Sequence, residues 1–134
     1  MPDRPTGAEL LQAARETLLS ELAAQLPAEQ KYPALMVASA MGIAAREAEI
    51  GSAVLDVESD MFAQLYGEQS MTQAGTEGAE QLAALRARLA DEIRCGKFDG
   101  EPGDRLRLML LEWVCARLRV SNPKYLKAAG FGDE

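Results

Sequence analysis

The sequence predicts an all-α fold, a bundle of four to five principal helices, on three observations. Every apolar segment repeats at helical spacing, aromatic residues make up only 5%, and hydrophobic residues at 48% stand against 26% charged, the balance of an ordinary globular chain. With so few aromatics the interior must be built from Leu, Ala, Met and Val, which suits closely packed helices better than a β-sandwich. A chain of 134 residues can bury a real core, so a single helical domain over 1–134 is expected.

The first helix opens at Thr6-Gly7-Ala8-Glu9, a capping box in which Thr6 caps and Glu9 reaches back. Leu11, Ala14, Leu18, Leu22 and Leu26 repeat down one face until Pro27 stops it. A second element starts near Gln30, with Pro33 in its first turn. Leu35, Ser39, Ile43, Arg46, Ile50, Val54, Val57, Met61 and Leu65 form its stripe. The stripe keeps phase through Gly51, which favours one long helix, kinked there, over a break at Gly51-Ser52. Residues 67–78 hold three glycines and no apolar period, so a flexible connection is expected, with 68–77 the most mobile internal segment. Leu82, Leu85, Leu89 and Ile93 mark a third helix that Gly96 closes. A turn-rich loop over 97–103 leads to a last main helix from Asp104 to about Ser121, apolar nearly all round and so either central or shared with a second subunit. Asn122-Pro123 ends it, and 124–129 form a final turn.

The chain contains no histidine, which removes the usual general base near neutral pH and the commonest metal ligand. The two cysteines, Cys95 and Cys115, do not form a CxxC pair, so a zinc site lacks ligands. Asp56, Glu58 and Asp60 fail as a calcium loop because Met61 stands where glycine is required and Gly67 where the terminal Glu belongs. They read as a solvated helix surface. Glu77-Gly78-Ala79-Glu80 offers one ExxE-like motif, but Arg88-Leu89-Ala90-Asp91 breaks the second. No GxSxG elbow and no phosphate-binding GxxxxGK[ST] loop occurs. These patterns point away from an enzyme, a metal and a cofactor.

The net charge is −7 and the pI about 4.7. Nucleic acid and anionic membranes both call for a cationic face, so neither is an expected partner. No apolar run approaches the ~18 residues of a membrane span, and Met1-Pro2-Asp3-Arg4-Pro5 lacks a signal-peptide apolar region, so a cytoplasmic protein with reduced thiols is expected. Residues 1–67 carry ten acidic and four basic side chains, whereas 68–134 are nearly balanced.

Arg46 is the outstanding single residue. It interrupts an apolar stripe between Ile43 and Ile50, among the small residues Ala38, Ala40, Gly42, Ala44, Ala45 and Ala48 that let another helix approach closely. A partly buried guanidinium needs a partner. One reading is an ion pair with Glu49 or with a carboxylate on another helix. The other is an anion clamp for a phosphate or carboxylate.

Several stretches together resemble a known family: Asp3-Arg4-Pro5 before Glu9-Leu10-Leu11, the run from Ala38 to Glu47, Ile93-Arg94-Cys95-Gly96, and Asn122-Pro123-Lys124-Tyr125-Leu126. Their order and spacing are similar to a bacterial domain-of-unknown-function family of the DUF6285 type, small helical proteins encoded near aminoglycoside/choline-kinase-like phosphotransferases and acyl-CoA dehydrogenases. The resemblance implies an accessory role in acyl-CoA or hydroxy-acid catabolism and carries over no catalytic residue. The expected function is a non-catalytic interaction protein, a homodimer through the long second helix or the last helix, with a kinase-like phosphotransferase or acyl-CoA dehydrogenase as partner. The alternative is a helical bundle that binds an acyl or other anionic amphiphile, with Arg46 at its charged end.

Overall fold

The computed structural model describes residues 3–67 and 75–132, and among them it contains five α-helices and no strand. They are α1 (Gly7–Thr17), α2 (Ala28–Tyr66), α3 (Gly75–Arg94), α4 (Glu101–Ser121) and α5 (Pro123–Ala128). The fold is all-α, as the spacing requires. The capping box forms: Glu9 N–H donates to Thr6 Oγ1 at 3.2 Å and Thr6 N–H to Glu9 Oε2 at 2.8 Å. Beyond α1 the chain continues through a π-helical turn, Leu18–Leu22, and a 3₁₀ turn, Ala23–Gln25, before it becomes extended at Leu26 ahead of Pro27.

The second helix runs 39 residues without interruption, so Gly51 lies inside one continuous helix. It begins two residues earlier than expected, which places Pro33 beyond the first turn. Proline there removes the N–H that would bond the Glu29 carbonyl, a loss that water can make good because Glu29 is exposed. Of the expected connection over 67–78, Gly67 follows α2 with φ 94°, 75–78 belong to α3, and 68–74 lie outside the described residues. Gly96 takes φ 84°, with Gly96 N–H bonded to Ile93 O and Lys97 N–H to Glu92 O, the paired bonds of a Schellman ending. The fourth helix starts at Glu101 rather than Asp104, so Pro102 and Gly103 form its first turn instead of a loop.

The chain groups into two compact units: Met1–Ser52 with Leu118–Glu134, and Ala53–Arg117. In the first, the buried face of α2 is Ala34, Ala38, Gly42 and Ala45, not the expected Leu35, Ser39, Ile43 and Ile50, which are exposed. The real stripe sits one position away and is made of small side chains. Val120 and Leu126 add larger buried groups to this unit.

The second unit buries Met61, Phe62, Leu82, Leu85, Leu89 and Leu106 in one cluster, bordered by Leu65, Tyr66, Phe98, Met109, Leu110 and Trp113. Glu58 is also buried there, at 1% exposure, which corrects the solvated-surface reading for that residue, while Asp56 and Asp60 are exposed as expected. Arg86 Nη2 donates to Glu58 Oε2 at 2.9 Å and Arg86 Nε to the other carboxylate oxygen, so the fork neutralises a charge that burial alone would not tolerate. Glu92 gathers Tyr66 Oη, Arg88 Nε and Lys97 Nζ, and Arg88 lies 3.8 Å over the Tyr66 ring. Burial, then the bond to Glu92, pushes the Tyr66 hydroxyl up to about 12. The Tyr66 hydroxyl, then Lys97, holds Glu92 down at about 2.

Candidate functional site

A cleft of about 390 Å³ opens in the first unit, walled by Arg15 and Leu19 on one side and by Leu35, Ser39, Gly42 and Arg46 of α2. Its third side is the junction of α4 and α5, from Ser121 to Lys124. Local sequence builds that junction: Asn122 caps α5, its Oδ1 accepting from Tyr125 N–H at 3.1 Å, and Pro123 takes the first helical position.

Both arginines are half-buried, and main-chain carbonyls hold both. Arg15 Nε donates to Ala38 O at 3.1 Å, and Arg46 Nε donates to Val120 O at 2.7 Å. Gly42 explains how Arg15 gets there. It follows Ala38 by one helical turn, and a Cβ on it would stand 3.3 Å from Arg15 Nε and 3.4 Å from Arg46 Nη1. The missing side chain therefore leaves room for two guanidinium groups side by side over one helix.

None of Arg15, Arg46 and Lys124 forms an ion pair with a carboxylate among the described residues. The expected Arg46–Glu49 pair is not made: Glu49 is exposed, and the partner of Arg46 is a peptide carbonyl. A carbonyl satisfies the Nε–H but neutralises no charge. Like charges repel, and an anion between the two guanidinium groups would relieve that repulsion. Among the described residues the lining includes no Asp, Glu, Cys or Tyr, and its charged side chains are all cations.

The second unit has a hollow of similar size, about 390 Å³, lined by Ile93, Phe98, Leu106 and Leu110 with Asp99 and Arg107. There the arginine is paired, Arg107 Nη1 to Asp104 Oδ1 at 3.1 Å. The difference marks the first cleft as the better candidate.

Sequence reasoning singled out Arg46 and missed Arg15, Ser39 and Lys124. A signal for Arg15 was present, because only four cations occur in residues 1–67 and Arg15 follows Leu11 by one turn. The model of the family described as "Domain of unknown function (DUF6285)" matches residues 24–125. The chain belongs to DUF6285. Arg46, Ser39, Asn122 and Lys124 lie inside the region that this DUF6285 model matches, and Arg15 lies before it. No curated protein and no solved structure matches the chain. Among the described residues, no helix is long and apolar enough to cross a membrane.

Proposed function

We propose that this DUF6285 chain is a non-catalytic accessory protein that binds the anionic group of a small molecule in the cleft between Arg15 and Arg46. The observation that carries the reading is the pair of guanidinium groups over Gly42, each fixed by a carbonyl and neither matched by a carboxylate among the described residues. Binding energy then comes from charge-assisted hydrogen bonds to groups already in place, so little ordering is required when the ligand arrives. Leu19 and Leu35 give the cleft an apolar side, which suits an amphiphile whose charged end meets the arginines. An accessory role in acyl-CoA or hydroxy-acid catabolism is compatible with such a ligand.

The test is a thermal melt of the full chain with phosphate, sulfate or succinate against chloride at matched ionic strength. A ligand held only by the folded state raises the melting temperature in proportion to ln(1 + [L]/Kd). A rise of several degrees is expected, absent in Arg46→Gln. Equal melts in all four salts would overturn the reading.

A second reading is a protein interface on α4, where Leu108, Leu111 and Val114 remain exposed. Exposed apolar side chains sharing a helix face mark surfaces that associate. The occupant in this reading is a second copy, or a kinase-like phosphotransferase or acyl-CoA dehydrogenase. Light scattering over a dilution series tests the homodimer: a mass of 14.5 kDa at every concentration excludes it, and a dimer abolished by Leu111→Glu places it on α4.

A further inference from the structure

We infer that the group taken by this cleft is a terminal phosphate, free or as a monoester, in preference to a monocarboxylate or a phosphodiester; the inference rests on the anion-binding reading above and narrows it.

Charge is the first argument. Arg15, Arg46 and Lys124 bring three positive charges to a lining that contains no carboxylate among the described residues. A monocarboxylate carries one charge and is satisfied by a single guanidinium fork. A phosphomonoester carries roughly −1.5 to −2 at pH 7 and offers three terminal oxygens. A diester has one charge and two such oxygens. Only the terminal phosphate matches a site that holds two guanidinium groups and an ammonium.

Donor geometry is the second. Each arginine has spent its Nε–H on a carbonyl, which leaves its Nη donors for a ligand. The side-on Nε/Nη2 fork is therefore taken up on both residues. Two sets of Nη donors, one from each arginine of the lining, suit a tetrahedral acceptor with three terminal oxygens better than a planar one with two. Ser39 adds a hydroxyl, and Asn122, whose Oδ1 is occupied by Tyr125 N–H, keeps its amide N–H groups as donors. Lys124, exposed at the rim, supplies a mobile charge rather than a fixed fork.

The experiment is calorimetric titration of the full chain with hexyl phosphate, inorganic phosphate, diethyl phosphate and hexanoate at one ionic strength. Hexyl phosphate is expected to bind at least about tenfold tighter than hexanoate or diethyl phosphate, the factor that ~1.4 kcal/mol of extra charge-assisted contact gives. If inorganic phosphate equals hexyl phosphate, the source is free phosphate; if it is weaker, the source is an ester with an apolar substituent. Both outcomes support the inference. Lys124→Gln, an exposed substitution that breaks no hydrogen bond of the fold, should lower hexyl phosphate affinity severalfold and hexanoate affinity much less. Equal affinities for hexanoate and hexyl phosphate would overturn the phosphate preference and leave the anion cleft standing. Binding of any of the four that is unchanged in Arg15→Gln and Arg46→Gln, or no binding at all, would overturn both.

Discussion

The two units bury their stretches of α2 by different means. In Ala53–Arg117 the helix presents Met61 and Phe62 to a cluster of leucines, and its charges come in matched sets: Glu58 with Arg86, and Glu92 with Arg88 and Lys97. In Met1–Ser52 with Leu118–Glu134 the helix buries Ala34, Ala38, Gly42 and Ala45, and Arg15 and Arg46 meet carbonyls. Bulky side chains keep backbones apart and leave neutralisation to other side chains. Small ones expose the peptide groups, and a peptide carbonyl can orient a guanidinium without cancelling its charge. The first arrangement cancels charge; the second leaves it in place.

Opposite substitutions should therefore damage the two units. Phe62→Ala, which empties a fully buried site, is expected to cost about 3–5 kcal/mol in urea unfolding. Arg86→Ala should cost about 3 kcal/mol, because it leaves the Glu58 carboxylate buried without its fork. In the alanine-built unit the harmful direction is enlargement: Ala45→Leu, at a position with 0% exposure, should cost about 1–3 kcal/mol by overpacking. If Ala45→Leu proved neutral and Phe62→Ala mild, the contrast between the two interiors would collapse.

The paired charges of the second unit also predict a pH profile. Glu92 is lowered from 4.5 to about 2 in the folded chain, so its contribution is present above pH 4.5 and lost as pH falls from there toward 2. Glu92→Gln should flatten that part of an acid unfolding curve. Tyr66 is raised from 10 to about 12, so its neutral form stabilises below pH 10 and that contribution is lost as pH climbs toward 12. Absorbance titration should show a tyrosinate step near pH 12 that Tyr66→Phe removes.

The smallest expected effect on stability is at Gly42. Gly42→Ala gains about 1 kcal/mol of helix propensity but sets a methyl 3.3 Å from Arg15 Nε and 3.4 Å from Arg46 Nη1. The melting temperature should change by no more than a few degrees while anion affinity falls. A variant that binds as well as the parent would show that the guanidinium positions do not depend on the missing Cβ.

Features set by neighbours in sequence were legible. The Thr6/Glu9 box, the Gly96 ending and the stop of α4 before Asn122-Pro123 are set over three to five residues, and their residue types announce them. The continuity of α2 through Gly51 followed from unbroken phase. Its buried face did not, because reading by hydrophobicity weights Leu35, Ile43 and Ile50 over the alanines and glycine that are actually inside. Glu58 was misread because its partner Arg86 stands 28 positions away. Arg46 stood out as a charge in an apolar stripe. Its acceptor did not, since any residue could have offered the carbonyl that Val120 does.

The carbonyl of Val120 that holds Arg46 comes from 74 positions along the chain, and the cleft draws its cations from Arg15, Arg46 and Lys124. No short fragment of the sequence carries this site, and an unfolded chain scatters it. A ligand bound there is consequently a folding ligand: its free concentration sets how rarely this unit opens, by mass action. Susceptibility to proteases that attack opened chains would fall as the ligand accumulates, so the supply of a small anion would govern the lifetime of the protein that binds it.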